Sequence, residues 1–224
     1  MLRNTMKKLP LTSALLALAF TSSTAFANGG HFLVDDATIT DPGTCQLETW
    51  TSRVSGESVW ILQPACSTQG GWEFAVPLVY SWSDSEVTEV GLEAKTIVSE
   101  DVYGGALAFT VGLVMDTVDD EFAGGFVNIP YSRELNAYWT LHLNAGTEYD
   151  RIGKYWNALW GVATTYALTQ HIDVIMEVAG VGSDDPIFGF GARYQFDRFD
   201  LDLGIARDTQ VNDTIYTIGL NVAF

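Results

Sequence analysis

The chain has 224 residues and carries 28 acidic against 11 basic side chains, a net charge of −17. That balance excludes a nucleic-acid partner, whose phosphates call for a basic face. Disorder is excluded by 47% hydrophobic and 12% aromatic content, and a chain of this length is expected to form one domain.

At the N-terminus, Arg3, Lys7 and Lys8 precede an apolar run from Leu11 to Phe20 and the small-x-small sequence Ala25-Phe26-Ala27. This predicts a secretory signal peptide over residues 1–27, cleaved after Ala27. The apolar run is shorter than the roughly 20 residues of a membrane helix, so the exported chain would enter a membrane by strands. Residues 28–43 are expected to form a periplasmic segment ahead of a transmembrane barrel spanning 44–224. Loss of the signal leaves eight bases against 28 acids, a charge that must sit on loops or in a wetted lumen.

From Thr44 onward about twelve segments alternate apolar and polar residues, and no convincing amphipathic helix interrupts them. The first two form a hairpin turning at Ser55-Gly56. Its register pairs residues whose numbers sum to 111, which sets Cys45 opposite Cys66 at a non-hydrogen-bonded pair. A structural disulfide is predicted there, as the exported context permits.

Segment 72–82 places Trp72, Phe74, Val76, Leu78, Tyr80 and Trp82 on one face, with Pro77 on the other at the cost of a ladder bond. Segment 103–115 sets Tyr103, Leu107, Val111, Leu113 and Met115 against Gly104, Ala106, Ala108, Thr110 and Gly112. Segment 137–145 sets Ala137, Trp139, Leu141 and Leu143 against Tyr138, Thr140, His142 and Asn144. Further on, Ile172, Val174, Met176 and Val178 oppose Asp173 and Glu177. Phe188, Phe190, Tyr194 and Phe196 oppose Gly191, Arg193 and Gln195, and Phe199, Leu201, Leu203 and Ile205 oppose Asp200 and Asp202. The final stretch, Tyr216 to Phe224, alternates without a break and stops on an aromatic, as the closing strand of an outer-membrane barrel does.

One face is uniformly apolar throughout, while the other mixes glycine, small polar residues and charges. The aromatics Trp72, Trp82, Trp139, Trp156 and Trp160 suit an interfacial girdle and assign the apolar face to lipid. The predicted fold is therefore all-β, an antiparallel up-and-down transmembrane barrel of twelve strands, or ten, with both ends in the periplasm. Short periplasmic turns are expected at 99–101, 131–134, 167–170 and 197–198. Outer loops, acidic on balance, are expected at 116–121, 149–153, 181–186 and 208–212. The strand assignment is weakest over 119–134, where Gly124, Gly125 and Pro130 fall.

The same face assignment directs Glu48, Glu93, Lys95, His142, Asn144, Asp173, Glu177, Arg193, Asp200 and Asp202 into the lumen. Buried charges must be paired or hydrated, so a cluster around Arg193 and Lys95 is expected to bridge the walls. This is either a structural polar core or a filter for a small solute. No catalytic constellation, metal-ligand spacing or cofactor motif stands out. His142 reads as a hydrogen-bonding wall residue, and nothing marks Ser132, the serine nearest it along the chain, as a nucleophile.

Several ordered stretches carry a resemblance: Phe32 to Trp50, Asn128 to Asp150, Ala158 to Leu168, Val174 to Gly180, Phe188 to Phe196, Phe199 to Asp208 and the closing strand. Together they resemble the outer-membrane barrel family named for the MetA pathway of phenol degradation, whose members are labelled transporters. The resemblance implies a monomeric barrel admitting small solutes, aromatic or hydrophobic ones among them, and it brings no catalytic residues. Its recurrent polar positions match Asp36, Glu48, Asn144, Glu177, Arg193 and Asp202, with Asp36 ahead of the barrel, whereas the cysteine pair is not part of its pattern. The expected function is a passive channel or uptake pore. The alternatives are a closed structural or surface-interaction barrel and, behind it, an outer-membrane lipid enzyme. The expected partners are outer-membrane lipid and, through the strand ending at Phe224, the barrel-assembly machinery.

Overall fold

The computed structural model describes residues 31–151 and 154–224; the expected signal peptide and its cleavage site lie outside them. Thirteen strands follow one another: β1 (Cys45–Val54), β2 (Glu57–Ser67), β3 (Trp72–Ala75), β4 (Leu78–Ser81), β5 (Glu86–Val102), β6 (Gly105–Asp116) and β7 (Glu121–Glu134). Then come β8 (Trp139–Asp150), β9 (Tyr155–Ala167), β10 (Ile172–Val181), β11 (Ile187–Gln195), β12 (Asp200–Asp208) and β13 (Asp213–Ala223). Both β3 and β4 lie between β2 and β5, so they are two halves of one wall position, broken at Val76-Pro77. The wall therefore has twelve positions. β1 pairs with β2 on one side and β13 on the other, which closes the antiparallel barrel and leaves it no free edge.

The break has a local cause. Proline has no N–H for the ladder, and the Pro77 carbonyl instead accepts from Gly91 N at 2.7 Å. A side chain at Gly91 would collide with the Pro77 ring, since a Cβ there would lie 2.5 Å from Cγ.

At the seam, Cys45 and Phe224 exchange both backbone bonds, at 2.9 and 2.8 Å. Cys45 is thus hydrogen-bonded to β13 and meets Cys66 of β2 at the other kind of pair, with the Cα atoms 4.0 Å apart and the disulfide formed. The register implied by a turn at Ser55-Gly56 holds along the whole hairpin. Both turn residues have positive φ, as a two-residue hairpin turn requires.

Two expected turns move. The turn placed at 99–101 lies at Tyr103-Gly104, where both residues again adopt positive φ, so the pairing of β5 with β6 runs on to Val102. The turn placed at 131–134 gives way to 135–138, because β7 continues through Gly124, Gly125 and Pro130 to Glu134. Glycine here makes room rather than breaking the strand: a Cβ on Gly124 would sit 2.6 Å from the Tyr149 carbonyl oxygen.

The apolar rows face out. Phe74, Leu113, Phe188, Phe190, Leu203 and Tyr216 are exposed on the wall. Of the five tryptophans assigned to a girdle, Trp72 and Trp139 fall beside turns at the end that carries the seam, and Trp82 and Trp156 beside turns at the other. Trp160 lies within β9 instead, its indole close over Gly180 of the next strand. Such a surface, greasy in the middle and aromatic towards both ends, matches a barrel wall in lipid.

Candidate functional site

The inner face is polar, and a stretch of the chain itself lies against it. Residues 31–40, part of the segment expected outside the barrel at 28–43, run within the lumen, where Phe32, Val34 and Asp35 are among the most deeply buried side chains. Asp36, expected ahead of the barrel, is buried there too. The reason is hydrogen-bond accounting: a segment without a strand partner must find acceptors for its N–H groups elsewhere, and the wall supplies them.

Leu33 N and Val34 N donate to Glu177 Oε2 at 2.6 and 3.1 Å. Asp35 is gripped by the Asn144 amide, which accepts from Asp35 N at 2.8 Å and donates to Asp35 O at 2.7 Å. Ala37 N donates to Ser132 Oγ at 2.8 Å, and Thr40 N to Glu73 Oε2 at 2.9 Å. These partners lie on β10, β8, β7 and β3, so the segment curves round the inner wall. The room is provided by glycines on inward positions. A Cβ on Gly161 would lie 2.8 Å from Val34 Cγ2, and one on Gly191 would lie 2.4 Å from Phe32 Cε1. His31 likewise occupies the space over Gly204 and Gly219.

The charged residues pair in two separate places. Lys95 Nζ lies 2.7 Å from Asp35 Oδ1 and 3.5 Å from Asp36 Oδ1, so its partners belong to the lumenal segment and not to the facing wall. Arg193 makes a double contact with Asp202, its neighbour across β11 and β12, through Nε at 2.7 Å and a terminal nitrogen at 2.8 Å. Asn221 Nδ2 adds a bond to the same carboxylate at 2.9 Å. The guanidinium carbon stands 5.6 Å from the Phe32 ring centroid. Within the expected cluster around Arg193 and Lys95, each base thus has its own direct ion-pair partner, with the lumenal segment beside both. Asp173 is held by Gln195 Nε2 at 2.9 Å.

His142 is a wall residue bonded through both nitrogens. Nδ1 lies 2.8 Å from Ser132 Oγ, and Nε2 lies 3.3 Å from Thr165 Oγ1. If the Ser132 hydroxyl donates to Nδ1, its oxygen remains free to accept from Ala37 N, so the pair anchors the segment.

Between the segment and the inner faces of β1, β2, β3, β5, β6, β11, β12 and β13 lies a cavity of about 260 Å³. Glu48, Glu93, Lys95, Arg193 and Asp200 line it, as do Asp35 and Asp36 from the segment and Gln63 and Glu73 from the wall. Of the residues singled out in the sequence, Glu177, Asn144 and His142 instead hold the segment. Glu73 and Gln63 could have been found by extending the alternation of their own strands, whereas Asp35 sits in a stretch with no alternation to extend.

The chain matches over residues 16–224 a family described as uncharacterised conserved protein UCP029691, and it belongs to that family. No curated protein matches it. Among solved structures it is similar to the COG4313 outer membrane channel from Pseudomonas putida F1, with a TM-score of 0.65 at 14% identity over 84% of this chain and 98% of that one. It is also similar to the KdgM porin in complex with disordered oligogalacturonate, with a TM-score of 0.64 at 9% identity, covering 80% and 99% of the two chains. A third similar structure is the NanC porin, with a TM-score of 0.61 at 10% identity over 79% and 98%. At these identities the likeness is one of fold: a closed twelve-strand antiparallel barrel of the kind seen in outer-membrane porins.

Proposed function

We propose that this protein is an outer-membrane channel for small polar solutes, its lumen narrowed by its own N-terminal segment. The observation that carries this reading is the polarity of the closed barrel, with apolar rows outside and a cavity lined by carboxylates and amides within. The solved barrels of this fold that are titled porin or channel support it. An aromatic or hydrophobic solute, which the family resemblance implied, suits this lining poorly; a neutral polar or cationic one suits it better. Export by the signal peptide and insertion through the C-terminal strand, where Phe224 is left exposed, complete the proposal, with the barrel acting as a monomer.

A second reading, a closed barrel without transport, has one observation in its favour: the segment is bonded to the wall at Glu177, Asn144, Ser132 and Glu73. The lipid-enzyme reading loses ground, because the Ser132–His142 pair lies inside the barrel and holds Ala37. Swelling of liposomes that contain the purified protein separates the first two readings. The channel reading predicts swelling in small sugars or amino acids that falls off with solute size, and protein-loaded liposomes no faster than empty ones would refute it.

A further inference from the structure

The cavity beside the lumenal segment is rich in carboxylates. Six carboxylates line it, Asp35, Asp36, Glu48, Glu73, Glu93 and Asp200, against the two bases Lys95 and Arg193. Neither base has its charge to spare: Lys95 is taken up by Asp35 and Asp36, and Arg193 by Asp202.

The amides on the same lining point independently to a ligand. Gln63 is 4% exposed, and its Oε1 is buried without a hydrogen-bond partner among the described residues. Its Nε2 is turned to Glu48 Oε2 at 3.3 Å, which fixes the amide with its carbonyl oxygen directed away from that carboxylate. Asn221 repeats the arrangement: Nδ2 donates to Asp202, and Oδ1 is buried without a partner. Each amide thus gives an N–H to a carboxylate, while its carbonyl oxygen, on a side chain that lines the cavity, has no partner among the described residues. A buried acceptor left unmet is costly, and a donor-rich ligand relieves that cost.

We propose that this cavity is a binding site for a small organic cation carrying an ammonium or guanidinium group. The proposal rests on the reading of the lumen as solute-facing and names the solute class. An ammonium brings three N–H donors and a guanidinium five, with no acceptor to compete, which matches a lining of carboxylates and bare carbonyl oxygens. An anion meets a lining in which carboxylates outnumber bases, and an apolar ring leaves the carbonyls unmet. A bare metal ion fits less well, since the described residues hold no group of three or more His, Cys, Asp or Glu arranged to bind one. The volume of about 260 Å³ lies below the roughly 300 Å³ at which ordinary ligand pockets begin, which keeps the ligand small. One wall consists of Asp35, Asp36 and Thr40, so the site is complete only when the segment is in place.

Isothermal titration of the full-length barrel in detergent with 1,4-diaminobutane, and separately with millimolar guanidinium, tests this. Saturable binding is expected for both, with none for acetate. Gln63→Met and Glu93→Gln should each weaken it by about tenfold or more. Glu89→Gln, at a buried acid towards the opposite end of the barrel, should leave it unchanged. Heat-modifiable migration on gels reports folding of each variant, and Gln63→Met, which removes no charge, decides the matter if Glu93→Gln fails to fold. Absence of saturable amine binding, or equal weakening by Glu89→Gln, overturns the proposal. Binding by a barrel that passes no solute would refute the channel and leave the site standing; solute passage without amine binding would refute the site alone.

Discussion

Arg193 and Asp202 face each other across β11 and β12, both nearly removed from solvent, and their double contact ties the two strands together. The sequence placed both on the inward face because the rows Phe188, Phe190, Tyr194 and Leu201, Leu203, Ile205 face lipid, and a strand side chain has only two directions to choose from. That argument reaches no further than the face. It could not say that Arg193 would find its partner one strand away while Lys95 turned to Asp35. Breaking a buried pair leaves an uncompensated charge, at a cost of about 3–5 kcal/mol. Arg193→Ala should lower the unfolding free energy in detergent by that amount, and Arg193→Ala combined with Asp202→Ala by less. A single variant as stable as the parent would mean that the pair contributes nothing to the fold.

At the scale of elements, the strands were legible and the lumenal segment was not. Strand hairpins announce themselves by alternation and by turn residues, which is how the position of Ser55-Gly56 fixed the cysteine pairing. Turns were misplaced where the alternation lapsed: β5 stays paired with β6 as far as Val102 through two irregular registers beyond Ile97, and β7 pairs with β8 without a break from Gly124 to Glu134. Residues 31–40 have no period, since their N–H groups are met by scattered side chains such as Glu177, Asn144, Ser132 and Glu73 rather than by a ladder. Their trace in the sequence was indirect: glycine falls at inward positions of neighbouring strands, Gly191, Gly204 and Gly219, and Phe32 and His31 fill the space this leaves. Glu177 is the anchor with two bonds to this element. A hydrogen bond to a charged acceptor contributes about 1.5–3 kcal/mol. Glu177→Ala should therefore speed amide hydrogen exchange at Leu33 and Val34 by about tenfold or more, with exchange in the β1–β2 hairpin unchanged. Equal exchange in parent and variant would show that the segment is held by packing alone.

On the scale of the whole molecule, a closed wall solves two problems at once. It leaves no strand edge to aggregate, and it separates a surface that suits lipid from an interior that suits water and charge. An acid-rich chain is thereby reconciled with an apolar exterior: carboxylates that a lipid-facing wall could not carry line the lumen beside the segment or sit in turns such as 117–120. The segment links interior to the proposed function, since it occupies part of the lumen and builds one side of the cavity. The excess of carboxylates over bases there predicts that whatever current the barrel carries is borne by cations. Single-channel recording in planar bilayers under a potassium chloride gradient tests this most directly. The account predicts discrete conductance steps whose reversal potential lies on the cation side, with larger steps for Glu177→Ala. A bilayer that stays silent with both proteins, or a reversal potential on the chloride side, would contradict it.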